Sequence, residues 1–454
     1  MLSSCSTGGK LVSLSLPGRI DRGVESLSER IALLEALIAA RSTSAAKRKE
    51  AKIEIAAISD LAAALAANAP VALGVSGGKD SSAVALATIE YLDAIGHTGP
   101  RILVHADLGD DRPELSVEWT DSLPTCQRLA DRLGLELIVV RRAAGGMMKR
   151  WLGRWSNNVR RYANLECVKV ILPWSTPSMR FCTSELKSAP IAAALVKRFP
   201  GQRIISAAGI RRSESRQRSG AKTAQINKRL EHKGTGTTGL DWNPIAEWSE
   251  RDVYAYCAAR NFDMHEGYTV YGMSRISCRY CIMAQRSDLV ASTTCADNVP
   301  VFRTMVGLEI LSTFAFQGAS WLADIAPQLL DEETLAALSA AKQRGADRMA
   351  IEVRIPEHLL YTEGWPTVMP TSAEAELLAE VRCAVAALLG IDVKYTDSAS
   401  IIARYAELMA ENAVKEAAKT KKAARSAVGA VGGAGNAKKS KAKKSTPSTK
   451  ETVS

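Results

Sequence analysis

From Val71 onward the chain repeats one pattern: a short apolar run, a polar loop, then a stretch with apolar residues at helical spacing. Val71–Val75 reads as a buried strand, followed by the loop Ser76–Ser81 and a helix to about Ala94. Arg101–Asp107, Leu135–Val140 and Arg203–Gly209 read as three further strands, with helices near Pro124–Leu133 and about Ser184–Arg198 between them. Strand and helix alternating at this spacing predict an α/β fold with a doubly wound parallel sheet. Its ligands bind at the carboxyl ends of the strands. Ahead of this region, Ser26–Ala40 has helical spacing and a capping-box pair, Ser26 and Glu29, and about Ala45–Ala67 is a second, Ala-rich helical stretch. Beyond Arg286 the strand signals fade, and Phe302 to about Leu338 and Ser372–Asn412 read as helical. The predicted organisation is a helical lead-in over 1–69, an α/β domain over 70–285, a helical extension over 286–410 and a disordered Lys/Ala-rich tail over 411–454.

Composition narrows the class. Apolar residues make up 46% and charged residues 24% of the 454 residues, the balance of a folded soluble chain. No run approaches the ~18 apolar residues of a membrane helix. Met1–Arg19 lacks the apolar core of a signal peptide, so a cytoplasmic location is expected. The net charge of +11 is unevenly placed: Glu411–Ser454 holds eleven Lys/Arg against three Asp/Glu, which leaves +3 for the rest. Such a tail suits nucleic-acid phosphates or simply solvates the chain. Nine cysteines are too few and too scattered for a disulfide scaffold, and point to a reducing compartment with a metal or redox use for some of them. The five histidines include no pair at i, i+4, which argues against a His-based metal site.

The loop Ser76-Gly77-Gly78-Lys79-Asp80-Ser81-Ser82 joins a predicted strand to a predicted helix. Its glycines allow a tight turn that brings backbone N–H groups to an anion, its serines suit the helix start, and Lys79 adds a positive charge. It is not the ordinary P-loop, because Leu73 stands where that motif has Gly and Asp80 where it has Ser or Thr.

This SGGKDS segment resembles the pyrophosphate loop (PP-loop) of the adenine nucleotide α-hydrolase superfamily, and further segments resemble its phosphoadenosine phosphosulfate (PAPS) reductase branch. They are His105-Ala-Asp107-Leu-Gly109, Arg180-Phe-Cys182 through Lys187, Gly209-Ile-Arg211-Arg212-Ser-Glu214-Ser215, Asn243 through Tyr256, and Tyr268 through Cys278-Arg-Tyr-Cys281. All stand in the family's order between Pro70 and about Gln285. The resemblance implies an adenine nucleotide bound by Ser76, Gly77, Gly78, Lys79, Asp80, Ser81, Ser82, Asp107, Gly209 and Arg218. It implies a catalytic set of Lys79, Asp80, Arg211 and Arg212.

Members of the family with a [4Fe–4S] cluster hold it with a cysteine near the R-x-C segment and a distal C-x-x-C. Cys182, Cys278 and Cys281 fit three of those places, and Cys295 is the expected fourth ligand, with Cys257 behind it. A cluster, a zinc ion and free redox thiols all stay open. Cys5, Cys126, Cys167 and Cys383 are expected to be ordinary thiols, and Trp248 a core residue. The C-terminal E-C-G-L-H segment of thioredoxin-dependent reductases is absent, and the loop is complete. Both resemble members that split ATP, with Mg²⁺, between its α and β phosphates. The expectation is therefore an enzyme that adenylates an acceptor in sulfur transfer, with a sulfur-donor protein as a partner. A PAPS or APS reductase is the alternative enzyme. A nucleic-acid-binding component that senses nucleotide is the alternative of another class.

Overall fold

The computed structural model describes residues 45–361 and 365–432. The expected helix at Ser26–Ala40, Cys5 and the chain after Gly432 lie outside them. The described residues fall into two compact units, 45–156 with 172–345, and 157–171 with 346–432. Residues 286–345 thus belong to the α/β unit, although the sequence pattern alone groups them with the helical extension.

The first unit is built on a six-stranded sheet: β1 (Val71–Val75), β2 (Arg101–Asp107), β3 (Glu136–Arg141), β4 (Arg203–Ala207), β5 (Ala224–Ile226) and β6 (Thr238–Trp242). Their spatial order is β3-β2-β1-β4-β6-β5, parallel throughout except for the antiparallel edge strand β5. Because side chains alternate across a strand, each face has its own core. Val71, Leu73 and Val75 face one side with Leu103, Ile205 and Trp242. Ala72 faces the other with Ile102, Val104 and Ile204. Helices α1 (Ala45–Ala66) and α2 (Lys79–Ala94) supply the first face, through Ile58, Leu61, Val84 and Ala87 among others. The second face is covered by α5 (Ala189–Arg198), through Ala192 and Leu195. Between these come α3 (Ser122–Leu133) and α4 (Met147–Ala163), and after the sheet α6 (Glu250–Ala259), α7 (Glu266–Thr269), α8 (Arg286–Thr293), α9 (Val299–Ser312) and α10 (Glu332–Glu352).

Strand order reverses between β1 and β4. Loops leaving their carboxyl ends therefore part to opposite sides and open a crevice, the usual ligand place in such sheets. The loop after β1 and the segment after β4 meet there.

Glu309, fully buried on α9, organises the loop that follows: its carboxylate oxygens accept the backbone N–H groups of Phe316 (2.8 Å), Leu322 (2.8 Å) and Ala323 (3.1 Å). Burial outweighs these three bonds and raises its pKa to about 7.

The second unit packs α11 (Ser372–Leu389) and α12 (Ser398–Gly432) with the ends of α4 and α10. Arg382 is wholly buried within it. Its guanidinium lies over the Tyr162 ring and donates to the carbonyls of Tyr162 (2.9 Å) and Lys394 (2.7 Å). An arginine there adds a cation to the carbonyl end of α4, where the helix dipole favours it. Arg348 and Glu352 form a buried i,i+4 pair, and Glu352 also accepts the N–H of Val170. The Lys/Ala-rich segment expected to be disordered from Glu411 instead begins as a continuation of α12, through Gly432. Alanine, lysine and glutamate are strong helix formers, so an ordered helix propagates into it.

Candidate nucleotide-binding site

The loop between β1 and α2 is shaped by two glycines. Gly77 has φ +74°, and a Cβ there would lie 3.0 Å from the Ser122 carbonyl and 3.2 Å from His265 Cδ2. Gly78 is extended and caps the start of α2. Ser81 Oγ accepts the Ser76 N–H (3.1 Å) and donates to the Gly78 carbonyl (2.8 Å), and Ser82 Oγ donates to the same carbonyl (3.2 Å). The serines thus hold the loop closed from inside. The amides of Asp80 and Ser81 remain at the helix start, where the dipole favours negative charge.

Across the crevice, Arg211 is 3% exposed and donates from Nε to Asp80 Oδ1. Its Nη1 reaches Ser213 Oγ (3.0 Å), which in turn donates to the Trp248 carbonyl (3.0 Å). Gly209 packs on the loop itself: a Cβ there would stand 2.6 Å from the Asp80 carbonyl oxygen. The segments after β1 and β4 are therefore locked together, and a larger residue at 209 would drive them apart.

Lys79 differs from the expectation of a free cation aimed at phosphate. It is 3% exposed, and its ammonium donates to the Ser274 carbonyl (2.9 Å), pairs with Glu250 (3.1 Å) and sits near the rings of Tyr254 and Tyr268. Its backbone N–H donates to Tyr268 Oη, which also accepts the N–H of Ile276. Lys79 is a strut between the loop and residues 250–276. Sequence reasoning missed Glu250, Tyr254, Ser274, Ser122 and His265, because their roles arise from long-range packing that leaves no local pattern. His265 accepts the Gly267 N–H at Nδ1 (2.9 Å) and lies 3.3 Å from Ser122 Oγ at Nε2. Burial pulls its pKa down to about 4, against the opposing pull of Asp121.

Three other expected site residues are committed elsewhere. Arg212 is tied to Glu54, Glu247 and the Ala221 carbonyl, so Arg211 is the member of the pair that joins the loop. Asp107 accepts the Gly109 N–H (2.7 Å) and a two-point bridge from Arg141 (2.7 and 2.6 Å), a loop-capping role. Arg218 pairs with Glu214, whose other oxygen faces Arg275. Trp248 is core, packed at a tilt against Tyr256.

The cysteines do not assemble as the four-ligand set. Cys278 is within electrostatic reach of Cys281 and Cys182, but Cys295 is buried in an apolar cluster with Trp119, Met273 and Ile276. Among the described residues no three His, Cys, Asp or Glu side chains are grouped to hold a metal ion. Burial and the neighbouring Cys281 hold the Cys278 thiol well above its usual pKa. Cys295 misses the centre because it caps the short turn after α8, facing the apolar cluster. The residues present do not fit a four-cysteine cluster. Cys126, Cys167 and Cys257 are buried, and burial pushes their thiols up to about 12, 11 and 11, while Cys383 is exposed.

Residues 70–284 match the family model described as phosphoadenosine phosphosulfate reductase domain. No protein of curated function matches the chain. Among solved structures, a phosphoadenylyl-sulfate (PAPS) reductase from Candida auris, in its phosphate complex, aligns at 14% identity with a TM-score of 0.30. The alignment covers 57% of this chain and 98% of that one.

Proposed function

Residues 70–284 are a phosphoadenosine phosphosulfate reductase domain, and from that premise we propose that the chain binds ATP at the loop Ser76–Ser82 and cleaves it between the α and β phosphates. An acceptor becomes adenylated and pyrophosphate leaves. The reading is carried by one observation: the bridge from buried Arg211 to Asp80 ties the segment after β4 to the start of α2, where the helix-start amides lie. Those amides suit the multiply charged β,γ end of the nucleotide. Arg211, fixed by Asp80 and Ser213, is placed to meet charge that develops on the α-phosphate, with no reorganisation at the moment of reaction. Lys79 contributes positive potential from behind the loop and fixes its shape. Mg²⁺ enters with the nucleotide as part of the substrate, and Asp80 is the loop's carboxylate donor for it.

Sulfonucleotide reduction is the second reading, favoured by the proximity of Cys182, Cys278 and Cys281. The two are separated by product: AMP and pyrophosphate from ATP, or sulfite from PAPS or APS. Replacing Arg211 by Ala is expected to cost at least tenfold in turnover, with melting temperature followed as the fold control. Undiminished pyrophosphate release in that variant would remove Arg211 from the mechanism.

A further inference from the structure

Tyr268 stands where the nucleotide loop meets the segment that carries Cys278 and Cys281. Its hydroxyl oxygen accepts two backbone N–H groups at once. One comes from Lys79 (3.1 Å), the first residue of α2, and the other from Ile276 (3.2 Å), two positions before Cys278. The same oxygen lies against the loop, 3.5 Å from where a Cβ on Gly78 would stand. A single atom thus ties a helix-start amide to the cysteine segment.

Three backbone pins hold that segment from its near end. The Asp288 carboxylate accepts the N–H and the hydroxyl of Ser274 (2.7 and 2.8 Å), Tyr268 accepts the N–H of Ile276, and the Val117 carbonyl accepts the N–H of Arg279 (2.8 Å). Cys278 lies between the last two. At the far end, the Gln317 side-chain amide donates to the carbonyls of Cys281, Ile282 and Ala284 (3.4, 2.9 and 3.0 Å). Asp288, Val117 and Gln317 belong to the body of the unit, whereas the tyrosine pin is shared with the nucleotide loop. Lys79 adds a parallel tie, from its ammonium to the Ser274 carbonyl (2.9 Å). A hydroxyl on a rigid ring, bonded on both sides, leaves little slack: a change in the order of the first turn of α2 reaches Ile276 through it.

We propose that Tyr268 is a positioning residue that couples the nucleotide loop to Cys278. Phosphates seated on the loop fix the Lys79 amide, and the shared hydroxyl passes that restraint to Ile276 and so to the thiol. The coupling rests on nucleotide binding at Ser76–Ser82, and not on which bond of the nucleotide is cleaved.

The test is alkylation of the full chain by iodoacetamide, with the rate at each cysteine read by peptide mass spectrometry. It is run without nucleotide and at saturating α,β-methylene ATP with Mg²⁺ or adenosine 3′,5′-bisphosphate, saturation being set by calorimetry for each protein. Cys278 is expected to react about fivefold more slowly with nucleotide bound, and the exposed Cys383 at an unchanged rate. Tyr268→Phe keeps the ring and removes only the bridging oxygen. At that variant's own saturating concentration the slowing should vanish, with melting temperature followed as the fold control. Hydrogen exchange on the wild-type chain needs no variant: nucleotide should slow exchange of the Ile276 amide together with the loop amides. The proposal is overturned if nucleotide binds and neither the Cys278 rate nor the Ile276 exchange changes. It is equally overturned if Tyr268→Phe retains the full slowing, since nucleotide would then shield the thiol directly. If neither nucleotide binds the wild-type chain, the calorimetry shows that the loop assignment has failed, and the coupling falls with it.

Discussion

Gly77 shows how one residue type is forced. Its left-handed backbone and the closeness of Ser122 and His265 both exclude a side chain, so Gly77→Ala should destabilise the fold by about 1–3 kcal/mol and cut nucleotide affinity more than tenfold. Gly96 is the control, because it has φ +70° with nothing within 4 Å. Gly96→Ala should cost about 1 kcal/mol in a melt and nothing in nucleotide affinity. Two buried titratable residues make opposite pH predictions. His265 is held to about 4, so its contribution to stability is present above pH 6.5 and lost as pH falls from there toward 4. Glu309 is raised to about 7, so its contribution is present below pH 4.5 and lost as pH rises through 7. Each is on the order of 3 kcal/mol, and in the native chain they largely cancel between pH 4.5 and 6.5. Denaturant titrations across that window should therefore rise with pH in Glu309→Gln and fall with pH in His265→Gln, each relative to wild type. Parallel profiles in all three proteins would contradict the assignment.

At the scale of elements, periodicity carried far where the chain is regular. The first four strands and the helix over Lys79–Ala94 are legible because buried parallel strands are continuous apolar runs and helices keep a 3.6-residue stripe. Strands β5 and β6 are not, since Ala-Gln-Ile is three residues long and Thr-Gly-Leu-Asp-Trp breaks its apolar run with Gly and Asp. Helix α4 was hidden by its arginines and asparagines, which outnumber the apolar residues it buries. The stretch from Cys182 adds a different lesson. It winds as a π-helix through Ser188 before α5 begins, a local over-wide turn with no sequence signature. The site was half legible: loop glycines and serines have spacing rules, so Ser76–Ser82 stood out. Which of Arg211 and Arg212 faces the loop depends on Glu54 and Glu247, far apart in the chain, and the placement of Cys295 depends on Trp119, Met273 and Ile276.

For the whole molecule, the net positive charge is concentrated after Glu411. Lys415, Lys419 and Lys421 are exposed on α12, in the basic segment that follows Glu411. Truncation after Asn412 should leave nucleotide affinity unchanged and remove any binding of single-stranded RNA or duplex DNA that weakens steeply between 50 and 200 mM salt. Retention of such binding in the truncated chain would place the nucleic-acid surface on the body instead. Product analysis tests nucleotide cleavage at the loop. The full chain, prepared anaerobically, is incubated with Mg²⁺, a dithiol and ATP, PAPS and APS in equal amounts, and every nucleotide and sulfur product is quantified. AMP and pyrophosphate drawn from ATP are expected, with no ADP and no sulfite. Sulfite released from PAPS or APS, with ATP left intact, would contradict that expectation.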